Sequence, residues 1–288
     1  MRKKQLIAGG LVFALLPAIL SGCFTVDVKV APGEGQPAAE APAAPVTAEQ
    51  GAAVPAGTTQ TQDAGGAAAA QAAPTGDPTA MTPSEQLLYF NAAVNRIKTG
   101  KIGFNKSKLT ATEDIVLSNS LANSLVSLVK GALLSETATE TAVAKGENSD
   151  AVMSPYNVPY VSQLTDADVK SIEAVPANGG YVITVYVKGE TNPEPSGSVC
   201  SRIFEFMTVD DVVSTYAPKV NAEVAREDIE VVYDGCFAKA TVDPSGTLLS
   251  YETYVKATMN LKNAKIRIIS TDVSAVLAST TKYTDFKY

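Results

Sequence analysis

Few residues in this chain could do chemistry, and the most reactive of them are thiols. Cysteine occurs at positions 23, 200 and 236 of 288 residues, and histidine does not occur at all. Without an imidazole, the Ser-His-Asp triad, Cys-His nucleophiles and every His-containing metal site are excluded together. Two thiolates besides Cys23 cannot complete a zinc site, so neither a metal nor another cofactor is expected. Carboxylates alone can hydrolyse glycosides, but only as a pair about 5–10 Å apart in a cleft. The adjacent acids here, Asp166 with Asp168 and Asp210 with Asp211, stand where helix starts attract negative charge. The chain reads as a non-enzyme.

Cys23 has a distinctive setting. Arg2, Lys3 and Lys4 precede an uncharged apolar run from Leu6 to Leu20, and Ser21-Gly22 places two small residues before the thiol. Basic head, apolar centre and small-residue exit are the layout of a secretory signal, and about 15 apolar residues fall short of the roughly 20 a spanning helix needs. Pro17 inside the run argues further against a membrane helix.

Leu20-Ser21-Gly22-Cys23 resembles the lipobox of bacterial lipoproteins. The resemblance implies that Cys23 receives a diacylglycerol through a thioether, that cleavage occurs before it, and that it becomes the mature N-terminus. A thiol is the nucleophile able to accept that group, and two or more acyl chains hold a protein stably where one does not. The implied location is the extracytoplasmic face of the cell membrane, with the membrane reached through the lipid on Cys23. Cleavage there removes three positive charges and leaves 20 basic against 30 acidic residues, net −10. That balance disfavours nucleic acid and anionic headgroups as partners. For Cys200 and Cys236, two readings stand open: a disulfide between them, as an extracytoplasmic compartment allows, or two buried free thiols.

The elements that follow fall into two parts. From Phe24 to Met81 the chain is rich in Ala, Pro, Gly, Gln and Thr, with prolines at 32, 37, 42, 45, 55, 74 and 78 and no sustained period. Such a segment cannot bury enough apolar surface to offset its ordering entropy, so 23–81 is expected to be a disordered tether with an average span of about 40 Å. Residues 82–288 are expected to form one domain.

Thr82-Pro83-Ser84-Glu85 is a capping box with proline at the first helical position, and Leu87, Phe90, Val94 and Ile97 recur at helical spacing up to Gly100. Phe104 to Val116 predicts a strand. Leu117, Leu121, Leu125 and Leu128 predict a second helix over 118–134 with Ser118 as cap, and 135–150 is read as polar loop. Ile172–Val175 and Tyr181–Val187 flank Pro-Ala-Asn-Gly-Gly as a hairpin. Thr208 predicts a helix start with Pro218 as its stop. Strands are predicted at 230–233 and 236–242 about Asp234-Gly235, followed by a turn at 243–246. Leu249, Tyr251, Thr253, Val255, Ala257, Met259 and Leu261 alternate as one buried strand face, and 266–288 supplies one or two last strands. The sum is an α+β domain, an antiparallel sheet with helices packed on one face.

Two segments, Phe90-Asn91-Ala92-Ala93-Val94-Asn95-Arg96-Ile97-Lys98 and Thr241-Val242-Asp243-Pro244-Ser245-Gly246-Thr247-Leu248, are similar to those of uncharacterised lipoproteins of anaerobic Gram-positive bacteria. The order helix, strand, helix, long meander resembles the half-barrel of periplasmic lipoprotein carriers and mycobacterial lipid-binding lipoproteins. That likeness implies a lipid or other apolar ligand between sheet and helix. Ala238, Ala240 and Ala257 beside Val242, Val255 and Met259 either leave room for it or let a helix pack close. The other reading is a surface interaction or structural module without a small-molecule site, with Tyr251, Tyr254, Tyr283 and Tyr288 as candidates for its face. Metabolic labelling with a palmitate analogue should tag the wild type, while Cys23→Ala is secreted untagged; label retained by the variant would remove the lipid anchor from consideration.

Overall fold

A capped helix and two very long strands set out the architecture. The computed structural model describes residues 75–118, 126, 137–177, 179–219 and 221–288. Leu20, Ser21, Gly22 and Cys23, with the leader and the tether as far as residue 74, lie outside the described residues. So does the helix read over 118–134, apart from Ser118 and Val126, which is helical and packs against the core.

Helix α1 is Pro83–Thr99. The Thr82 N–H and hydroxyl donate to Glu85 at 2.8 and 2.7 Å, and the Glu85 N–H returns a bond to the Thr82 hydroxyl. Ordered structure begins earlier than Thr82: Asp77 caps a 3-10 turn at Pro78–Ala80, and the buried Gln86 amide donates to the Pro78 carbonyl at 2.9 Å. Leu87, Phe90, Ala93, Val94 and Ile97 form the buried stripe of α1.

The strands are β1 (Gly103–Leu117), β2 (Thr137–Val143), β3 (Val169–Ala177), β4 (Gly180–Val187), β5 (Glu190–Thr191), β6 (Ala222–Glu223), β7 (Ile229–Tyr233), β8 (Phe237–Val242), β9 (Leu248–Ile266) and β10 (Ile269–Lys287). They make one antiparallel sheet in the order β2-β1-β10-β9-β8-β4-β3. β9 is the spine. One of its edges carries β10, and the other carries β8, β7 and β6 in succession. β7 and β8 therefore do not form a hairpin about Asp234-Gly235; they lie end to end along one neighbour, with Gly235 at φ +74° where the path breaks. The β3–β4 hairpin does form as read. Gly179 has φ +81°, and a Cβ on Gly180 would lie 1.9 Å from the Val242 carbonyl oxygen, so the close approach of β4 to β8 requires glycine there.

One face of the sheet is buried, and the register traces it across strands. Ile183, Ala240, Tyr251 and Tyr283 follow one another over β4, β8, β9 and β10, and the Phe90 ring of α1 sits 6.3 Å from the Tyr251 ring. The β9 alternation holds from Tyr251 to Leu261, but not at its start. A register shift opposite Thr241/Val242 buries Leu248 and leaves Leu249 47% exposed, because a bulge inverts the side-chain order on its far side.

The described chain is thus mostly an antiparallel open sheet with few helices, fewer than an α+β reading of the pattern anticipates. Residues 137–143, read as loop, form β2; they are exposed except for Val143, so no alternation marks them as strand. The Thr208 start is a true capping box with Asp211, and it opens α2, residues 209–219. This helix has α-helical ends and a π-helical centre at Val212–Tyr216. Pro218 falls inside its last turn instead of stopping it. Ser118 accepts a hydrogen bond from the Asp272 N–H at 3.0 Å and so extends the β1–β10 pairing.

The segments singled out at 90–98 and 241–248 meet one another. Arg96 donates to the Gly246 carbonyl at 3.2 Å, while Asn91 and Asn95 bind the backbone of 161–164. These residues hold α1 to its loops. Phe90→Ala should cost about 3–5 kcal/mol in urea unfolding because Phe90 is fully buried. Leu249→Ala should stay within about 0.5 kcal/mol, and equal losses at the two positions would contradict the bulge.

Candidate functional site

β1 alternates across the buried face, and at three successive inward positions it places polar groups: Lys106, Lys108 and Thr110. Their cross-strand neighbours on β10 are Tyr283, Thr281 and Ser279. Val255 lies beyond Ser279 on β9, Ala257 beyond Leu277, and Tyr233 of β7 beyond Ala257. The sheet therefore offers a floor that is cationic and hydroxylic at the β1 end and apolar toward β9 and β7. Opposite it stand Tyr156, Glu205, Phe206 and Met207, with Asp211, Thr215 and Tyr216 from α2. Floor and wall enclose an open cleft of about 360 Å³, within the range of small-molecule sites.

The wall is held by specific bonds. The Tyr233 hydroxyl accepts from the Met207 N–H at 2.8 Å and donates to the Met207 carbonyl at 2.9 Å, and the Phe206 ring stands edge-on to the Tyr233 ring at 6.3 Å. Burial pushes the Tyr233 phenol well above its usual range. That fixes the 205–207 segment against β7 and presents Glu205 to β1.

Glu205 is the charged centre of the cleft. Lys108 donates to it at 2.5 Å, Lys106 lies 3.9 Å away, and the Tyr156 hydroxyl donates to its other oxygen. Burial alone would raise the Glu205 carboxyl, but Lys108, Tyr156 and Lys106 outweigh it and hold the group below its ordinary value. Burial lowers Lys106, with Glu205 opposing and Lys108 adding to the fall. The Lys106 ammonium donates to the Val152 carbonyl at 2.9 Å and lies 5.8 and 6.0 Å from the centres of the Tyr156 and Tyr283 rings. Tyr156 is raised far above its usual range by burial and by Glu205, which makes it a hydrogen-bond donor and not a nucleophile.

The residues named from the sequence go to other places. Cys200 and Cys236 are both buried free thiols. Burial pushes Cys236 up to about 11 and Cys200 higher still, so neither is a nucleophile at neutral pH. Asp168 is bound by Arg202 at 2.5 Å and by the Thr165 N–H and hydroxyl, and Asp166 accepts from Ser84. Asp210 pairs with Arg226, and Asp211 caps α2. These acids are structural, although Asp211 also borders the cleft. Ala238 and Ala240 are fully buried in the core, whereas Val255 and Ala257 line the cleft. Tyr251 and Tyr283 are core residues, each 1% exposed. Among the described residues no group of acids and cysteines could hold a metal ion, and no helix is long and apolar enough to cross a membrane.

Glu205, Lys106, Lys108 and Tyr156 escape a sequence reading because the only signal is parity. Lys106 and Lys108 share the parity of buried Phe104, while Leu109, the apolar residue between them and Thr110, is 43% exposed. No protein-family model, no curated protein and no solved structure matches this chain.

The depressed Glu205 carboxyl gives a signed pH effect. Its pairing stabilises the fold fully above the ordinary value of 4.5, and that contribution is lost as pH falls through the lower folded value. Chemical unfolding across pH should therefore show the stability gap between wild type and Glu205→Gln narrowing below about pH 4.5; a gap independent of pH would mean that the charge contributes nothing.

Proposed function

We propose that this chain is a lipid-anchored, extracytoplasmic, non-catalytic binding module that takes a small amphiphilic molecule into the cleft between its sheet and the 205–216 segment. The observation that carries the reading is the cleft itself: about 360 Å³, with an apolar floor at Val255, Ala257 and Leu277 and a polar cluster at one end. The anchor rests on the signal layout and the lipobox ending at Cys23. In this reading the sheet serves as a half-barrel-like tray, with α1 covering part of its buried face. The non-catalytic part rests on the cluster's protonation: Glu205 is held ionised and Tyr156 protonated, a pairing suited to binding rather than proton transfer.

A second reading, a surface interaction module, draws on the opposite face of the sheet. There Tyr186, Phe237 and Tyr254 line up across β4, β8 and β9 with ring centres 5.8 and 5.3 Å apart, the latter pair stacked at 20°. Around them run Lys239–Glu252, Lys282–Glu252 and Lys256–Glu113 pairs.

The neutral fluorophore N-phenyl-1-naphthylamine separates the two. The purified full chain should take it up saturably, and Ser279→Leu and Ala257→Phe should each weaken uptake at least tenfold while Phe237→Ala leaves it unchanged. No saturable uptake, or uptake indifferent to both cleft variants, would leave the aromatic face as the better reading. Ser279 is half-buried, so its variant serves if Ala257→Phe fails to fold.

A further inference from the structure

We propose that the ligand of the cleft is an anionic amphiphile, a carboxylate with an apolar body, whose head group is taken by Lys108 with the hydroxyls of Thr110 and Ser279. This rests on the cleft being the binding site and adds the chemistry that selects its occupant. Two ammonium groups, Lys106 and Lys108, converge on one carboxylate, Glu205, so the cluster carries one positive charge in excess. Asp211 also lines the cleft and offsets that charge over the cleft as a whole, so the preference for an anion rests on the donors gathered around Lys108; the Asp211 carboxylate itself accepts from the Thr208 N–H and hydroxyl at 2.8 and 2.9 Å.

The donors match the charge. An ammonium has three N–H groups. Lys108 spends one on Glu205, and its side chain is 24% exposed to the cleft. Thr110 and Ser279 share one hydrogen bond at 3.1 Å, which uses one of their two hydroxyl protons and leaves the other to donate. Glu205 already accepts one bond at each oxygen, from Lys108 and from Tyr156. A carboxylate resting on Lys108 would pair with its ammonium and satisfy the free donors, while its apolar body lies over Val255, Ala257 and Leu277 beneath the Phe206 and Tyr216 rings. In a chain of net charge −7, this cluster is a local reversal of sign, and surface acids farther off than about 10 Å are screened at physiological salt.

The test compares heads of one chain length. Octanoate, octanol and octylamine are titrated against N-phenyl-1-naphthylamine bound to the full chain. Octanoate should displace the probe at least tenfold better than octanol, and octylamine should be the weakest. Lys108→Met should bring octanoate down to the level of octanol without moving octanol, and Lys108→Arg should restore the preference. Raising salt should erode the octanoate preference only in chains that retain a cation at 108. Equal displacement by all three heads, or an octanoate preference that survives Lys108→Met, overturns the inference and leaves the cleft reading intact. Failure of the probe itself to bind overturns both.

Discussion

The register between β9 and β10 is the constraint on which the rest of this structure depends. From Tyr251 opposite Tyr283 to Ile266 opposite Ile269, two strands of 19 residues run paired, with one shift near Thr271. Everything else is added to their edges: β8, β7 and β6 to β9, and β1 with β2 to β10. Side chains alternate with a period of two, so a slip of one residue would turn every inward group outward. Tyr251 and Tyr283, stacked at 5.4 Å under Phe90, hold the inward choice at one end. Met259 and Ala275 hold it toward the other.

The cleft follows from that register and works against the core around it. A face that is apolar at β4, β8 and β9 becomes cationic at β1, where Lys106 is half-buried against the Tyr156 ring. Burying a charge is costly unless it is paired and hydrogen-bonded. Glu205, Tyr156 and the Val152 carbonyl supply the partners, and each comes from a loop rather than from the sheet. The loops in turn are held by α1, through Asn91 and Asn95 on 161–164 and Lys98 on the carbonyls of Pro155 and Val158. The helix acts on the site at one remove, by fixing the wall that carries its polar partners.

Some of this was legible in the residues, for local reasons. The Thr82 and Thr208 caps, the Asn-Gly-Gly turn and the β9 alternation each arise from interactions within a few residues, so their spacing predicts them. Leu249 fails that logic because a bulge is set by the partner strand, and β2 fails it because an exposed edge strand of Thr, Ala and Glu carries no periodic signal. Pro218 is accommodated in the last turn of α2, next to a π-helical segment that no local pattern announced. The two strands read about Asp234-Gly235 both form, and what local pattern does not tell is that they lie end to end along one neighbour.

The sequence by itself determined the absence of imidazole chemistry, the acidic balance and the elements whose cues are local. Tertiary structure decided which lysines face inward, that Glu205 meets them, that Cys200 and Cys236 stay buried as thiols, and that two alanines fill the core while a third lines a cleft. The division has a physical cause. Caps, turns and alternation are written over three to seven neighbouring residues, whereas Lys108 and Glu205 stand 97 positions apart and meet only once the long strands have chosen their register.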